Sequence, residues 1–259
     1  MRHLSPAVAL ALTMLAVVPG TTSAQPAPDF LFGSPNGMVG FRGGLLFASA
    51  NSDLFTFVEE QLTIERNDFN APAIGVDVEI AATDRMSAVI GFDFSKTSVD
   101  SEYRDFVDNQ RLPITQTTSL REMNFSGSVK FALTPRGREI SSRAWIPAAA
   151  TPYVGAGAGF MHFQFLQFGD FIDVNTVNME IFTDTLRTRG WTPSAHVFGG
   201  VDVKIWRRLY LSGEARYLWA RGSTAGRDDQ GRQDPFYEFR HDGIDLAGFK
   251  TTVGIHYLF

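Results

Sequence analysis

Eight stretches of the chain alternate apolar and polar residues with a period of two, the signature of strands rather than helices. They fall at about 38–49, 72–82, 86–98, 116–133, 152–165, 191–205, 209–221 and 246–259. In the last, Phe249, Thr251, Val253, Ile255, Tyr257 and Phe259 share one face, and Gly248, Lys250, Thr252, Gly254 and His256 share the other. The sixth sets Ala195, Val197, Val201, Val203 and Ile205 against Ser194, His196, Asp202 and Lys204. The fourth sets Met123, Phe125, Val129 and Phe131 against Glu122, Asn124, Ser126 and Lys130. In the second and third, Ile74, Val76, Val78, Ile80, Ala88, Ile90, Phe92 and Phe94 oppose Asp77, Glu79 and Asp93. The fifth, YVGAGAGFMHF, is too rich in glycine to assign its faces.

Short and long connections alternate. Strands two and three are joined by about four residues near Thr83-Asp84-Arg85, and strands six and seven by Trp206-Arg207-Arg208. The links 50–71, 99–115, 166–190 and 222–245 are long and polar. This is the layout of an eight-stranded antiparallel up-and-down transmembrane β-barrel, with tight turns at one rim and loops at the other. One link breaks the rule: 134–151 belongs at the turn rim, yet it is long. Within the first long link, 53–62 (DLFTFVEEQL) reads as a short amphipathic helix or a strand extension.

Composition agrees with a curved sheet. The 259 residues include 24 Gly and 23 Phe. Cysteine is absent, which removes disulfides and thiolate metal sites and suits an oxidising compartment. A net charge of −5 leaves no basic footprint for nucleic acid. Arg2 and His3, the apolar run 7–18 and small residues ending at Ala24 read as a signal peptide, 1–24, cut after Ala24. The apolar run is shorter than a membrane helix requires. The Pro-rich 25–37 reads as a loose leader, and 38–259 as the barrel.

Alternation alone does not say which face is outward, because a soluble eight-stranded barrel alternates too. The expected signal peptide, the small residues on the polar face and the aromatics at strand ends favour lipid outside. Phe47, Phe94, Trp191, Tyr217 and Trp219 gather toward the loop rim; Phe131, Trp206, Tyr257 and Phe259 gather toward the turn rim. Rings of that kind prefer the membrane interface. Hydrocarbon supplies no hydrogen-bond partner, so the sheet must close.

The polar face then becomes the lumen. It holds Arg42, Lys130, Lys204, Arg216 and Lys250 against Asp77, Glu79, Asp93, Glu122, Asp202 and Glu214. An eight-stranded barrel is just wide enough to be filled by side chains, so the near balance of signs predicts paired charges and a plugged lumen. A narrow channel is the rival reading. No catalytic set, cofactor site or metal site is expected. His196 and His256 fall on the inward face, but without a spaced set of metal ligands. Ser194 and His196 are the nearest approach to a lipid hydrolase, and no nucleophile motif accompanies them. The glycines in 155–159 precede no helix or phosphate-binding lysine, so they read as room for packing. Ligand contacts are expected in the loops, at Glu102–Phe106, Phe168–Phe171, Arg227–Asp229 and Phe236–Arg240.

The terminal Phe259, with Tyr257, Ile255 and Val253 at alternate positions before it, resembles the C-terminal assembly signal of bacterial outer-membrane barrels. Residues 152–160 and 211–217 are similar to the OmpA-like and OmpW-like superfamily of small barrels. That resemblance implies a cell outer membrane location, reading of the C-terminus by the barrel-assembly machinery, and contact with outer-membrane lipids and lipopolysaccharide. It also implies an alternative role as an OmpW-like conduit for small apolar or ionic solutes, for which the inward Leu46, Phe198 and Leu218 are modest support.

Overall fold

A computed structural model describes residues 30–108, 110–141, 144–173, 180–224 and 243–259. The expected signal peptide and the loop segments Arg227–Asp229 and Phe236–Arg240 lie outside the described residues. Eight long antiparallel strands form the wall: β2 (Gly37–Ala48), β3 (Ala71–Ala81), β4 (Met86–Val107), β5 (Pro113–Ala132), β8 (Ala150–Asp173), β9 (Glu180–Trp206), β10 (Leu209–Ser223) and β12 (Gly248–Leu258). Each pairs with the next, the short β11 (Gly243–Asp245) adds to the loop-rim end of β10, and β12 pairs along its whole length with β2, from Gly248 opposite Ala48 to Leu258 opposite Met38. The ring is closed, so no wall strand keeps a bare edge through its middle.

The period-two pattern determines what each face meets. Ile90 is 68% exposed and Val253 50%, whereas Asp93 is 3% exposed and Glu79 2%. Through the middle of the wall, apolar residues point out and the charged ones point in, the reverse of a water-soluble barrel. The Gly-rich β8 alternates too, with large side chains on both faces: Tyr153, Met161 and Phe163 face inward and are buried, while Val154 and Phe160 face outward. Added methyl groups at the inward Gly155 and Gly157 would collide with the Phe198 ring and the Ser128 hydroxyl. These glycines therefore make room for the side chains of neighbouring strands.

Two expectations are corrected. The stretches 99–115 and 166–190 are largely strand rather than loop: β4 and β5 remain paired out to Glu102 and Thr115, and β8 and β9 to Asp173 and Glu180. Beyond a membrane the outer face need not be greasy, so a strand can continue with polar residues on both sides and lose its alternation. The leader is not wholly loose, because Leu31–Phe32 (β1) pairs with Ala144–Trp145. The long link 134–151 is a hairpin of β6 (Gly137–Ser141) and β7 (Ala144–Pro147), which joins β1 in a small sheet at the turn rim. The segment 53–62 takes the helical option: Asp53–Gln61 is α1.

Candidate functional site

The lumen is filled in three zones. Midway along the barrel, Arg42 lies 3.2 Å from Asp77, 3.1 Å from Asp93 and 3.8 Å from Glu214. Arg216 reaches Asp93 at 3.3 Å and Glu214 at 2.8 Å, and Lys250 reaches Asp93 at 3.5 Å. His256 lies 3.2 Å from Asp77. These groups come from β2, β3, β4, β10 and β12, so the network ties together strands that are not adjacent. Glu122 accepts a hydrogen bond from the Ser95 hydroxyl at 3.1 Å.

Nearer the turn rim, the Lys130 ammonium donates to Glu79 at 2.8 Å and Asp202 at 2.7 Å. It also sits 3.9 Å from the centre of the Tyr153 ring, a cation–π contact. The Tyr153 hydroxyl donates to Glu214 at 3.3 Å, which links this cluster to the middle one. Lys204 is half-buried at the rim itself. Arg136, from the link before β6, reaches in to Glu79 at 3.5 Å and donates to the Ser87 hydroxyl at 3.1 Å and the Thr83 carbonyl at 2.6 Å. Trp145 of the small sheet packs with Leu31, Met38, Tyr210 and Leu258. The hairpin thus caps the turn-rim mouth, over a cavity of about 460 Å³ lined by Asn36, Arg136, Trp145, Asp202 and Tyr210.

At the loop rim the filling is apolar. Leu54, Phe55 and Val58 of α1 are buried with Leu62, Ile64 and Phe69 against the inward Leu120, Met161, Phe163, Phe165 and Leu218. Phe55 meets the rings of Phe69 and Phe165 edge-on, at 4.6 and 6.0 Å between centres. The spacing 54, 55, 58 gives α1 one greasy face, and that face has no other place to be buried. Polar contacts fasten the segment: Arg104 donates to the Glu59 carbonyl at 2.9 Å, and the Thr63 amide donates to the Glu102 carbonyl at 2.8 Å.

His196, His256 and Ser194 are inward, but each has another partner. The Ser194 hydroxyl donates to Asn124 at 2.7 Å, and His196 bonds Ser128 at 2.9 Å. Among the described residues, no three His, Asp or Glu side chains stand where a metal ion could be held. Sequence reasoning missed Arg136, Tyr153 and the role of α1. The anomalous length of 134–151 was the signal for Arg136, and the three large apolar residues in an otherwise polar loop were the signal for α1.

No described helix is long and apolar enough to cross a membrane, which says nothing of strands. The closed ring of greasy outward faces decides the class. The chain is an eight-stranded transmembrane β-barrel. No family model matches it, and no curated protein matches it. Among solved structures it is similar to Neisserial surface protein A, at 10% identity and a TM-score of 0.46 over 91% of this chain and 100% of that one. It is also similar to the outer membrane protein OprG from Pseudomonas aeruginosa, at 9% identity and 0.44 over 88% and 99%. The N-terminal β-barrel domain of Pseudomonas aeruginosa OprF gives 12% identity and 0.36 over 87% and 98%. The ring of strand pairings, rather than these likenesses, defines the fold of this barrel.

Proposed function

We propose that this chain is an outer-membrane barrel of the bacterial envelope, sealed along its axis, with a structural and surface-interaction role and no enzyme activity. The observation that carries this reading is the double closure of an inside-out barrel. Paired charges and a hairpin close the turn-rim half, and α1 closes the loop-rim half. In this reading the turn rim is periplasmic and the loop rim faces outward. The Ala24 cleavage and the assembly signal Val253, Ile255, Tyr257 and Phe259 belong to the same proposal, as does contact with the barrel-assembly machinery. The C-terminal residues suit that role because all four side chains point outward from the wall.

Heat-modifiable migration of an outer-membrane fraction, combined with single-channel recording in planar bilayers, tests the proposal. A folded species without steady conductance is expected. A large steady conductance would overturn the seal, and a detergent-free water-soluble monomer would overturn the membrane reading.

A second reading, a conduit for small apolar molecules, draws on two observations. The loop-rim half of the lumen is apolar, and pairing between β9 and β10 stops at Ser194 and Ala220. Because α1 occupies that space, uptake of small apolar compounds into liposomes would require α1 to leave. Uptake by the intact chain would favour this reading.

A further inference from the structure

The outer surface carries a feature that sealing the lumen does not use. On the four longest strands, Phe94 of β4, Met123 of β5, His162 of β8 and Trp191 of β9 are successive cross-strand partners. Two residues farther toward the loop rim, so are Lys96, Arg121, Gln164 and Arg189. Lys96, Arg121 and Arg189 are exposed on the same outer face, and Arg187 is exposed one step beyond. With strands roughly 4.8 Å apart, the row of four spans about 14 Å.

What lies on either side gives the row its meaning. Below it is a continuous aromatic patch. Phe92 and Phe125 are 4.7 Å apart, Phe125 and Trp191 6.2 Å, and His162 and Trp191 5.1 Å. Trp191 is 62% exposed, so the patch faces outward. Farther down, the outer faces of these four strands carry no acidic or basic residue. Above the row, the first acid on this face is Asp100, which accepts from the Thr117 hydroxyl at 2.7 Å. Cations therefore come first at the greasy border, and acids only beyond them. Arg121 does not project outward freely: its guanidinium lies 5.4 Å from the Phe94 ring centre and 3.5 Å from the Met123 sulfur. Aromatic side chains prefer the level of lipid headgroups. Arg121 is thus held against the aromatic border, the level at which headgroup phosphates would lie.

We propose that Lys96, Arg121 and Arg189, with Arg187 behind them, form a binding ledge for the phosphates of a phosphorylated glycolipid in the outer leaflet. This rests on the outer-membrane reading above. Arginine at such a site binds phosphate through its fork of donors, and three cations in a row can engage more than one phosphate of a single headgroup. The folding of Arg121 onto the aromatic border favours a membrane-embedded partner over a soluble polyanion, which would be met by loops.

The test uses the full barrel in phosphatidylcholine nanodiscs, with retained lipid read by native mass spectrometry. The probes are bisphosphorylated lipid A and the same lipid with its phosphates removed. Wild type is expected to prefer the phosphorylated form by about a hundredfold, since each cation near an anionic lipid surface contributes roughly a factor of five. K96A/R121A/R189A should lose that preference, while R207A/R208A at the opposite rim should keep it. Equal retention of the two lipids by wild type would overturn the ledge without needing any variant to fold. An unchanged preference in the triple variant, or equal retention of a soluble phosphosugar, would overturn it too. Failure of the wild type to enter nanodiscs at all would instead sink the membrane reading on which it stands.

Discussion

Lys130 and Asp202, 72 positions apart in the chain, meet at 2.7 Å inside the barrel, and Glu79 completes the pair as a triad at 2.8 Å from the same ammonium. All three are at least nine-tenths buried. A lone buried charge is costly, whereas removing a whole ionic group at once often costs little. Lys130→Met is therefore expected to lower stability by roughly 3–5 kcal/mol, because it strands two carboxylates. The triple variant K130M/E79Q/D202N should recover most of that loss. Urea unfolding in vesicles, followed by tryptophan fluorescence, measures both; equal losses in the two variants would count against the triad.

The two mouths are closed by different chemistry, so opening one should not open the barrel. Removing residues 52–64 takes out the apolar stopper but leaves the Arg42, Asp93 and Arg216 layer. Planar-bilayer recordings of that deletion are expected to show no steady conductance. The same deletion combined with R42A and R216A should conduct. Conductance from the deletion alone would mean that the ionic layer does not block passage.

Phe55 is wholly enclosed, between Phe69 and Phe165. Phe55→Ala should cost roughly 3–5 kcal/mol of local stability. That loss should be confined to the stopper, because the wall holds itself through its own strand pairing. Hydrogen exchange in 52–64 is expected to quicken strongly while the amides of β2 and β12 stay protected. Equal loss of protection across the wall would show that α1 supports the whole barrel.

Gly157 faces into the lumen, where a side chain would meet Ser128, the Gly127 carbonyl and the His196 ring. All three belong to the neighbouring strands β5 and β9, so little can give way. Gly157→Val is expected to reduce the folded fraction severely in a heat-modifiable migration assay. Gly43→Val should be nearly neutral, since open space surrounds that outward position. A folded Gly157→Val barrel would show that β8 can shift.

The wall strands were legible because their middle portions obey one strict physical rule. A residue such as Ile90 or Val253 must suit lipid, and its neighbour must suit a narrow polar interior. Where that rule lapses, legibility lapses. Ser98, Asp100 and Glu102 continue β4, but nothing greasy marks their outer face, so the stretch read as loop. The charges of the lumen could be enumerated from the pattern, yet their partners could not, because Lys130 finds Asp202 only through ring curvature and strand stagger. Arg136 was hidden for another reason. It belongs to no periodic element, and it reaches Glu79 only because the link before β6 turns back over the mouth.

The strand that closes the ring, β12, follows every other wall strand in sequence and must satisfy two partners at once, β10 on one side and β2 on the other. Until Gly248–Leu258 has been synthesised, both of those partners carry a row of unmatched amides and carbonyls, and neither can be retired early by local pairing. Before closure the sheet is therefore a ribbon whose two sticky margins lie at opposite ends of the sequence, which makes the joining of first and last strand a single committing event.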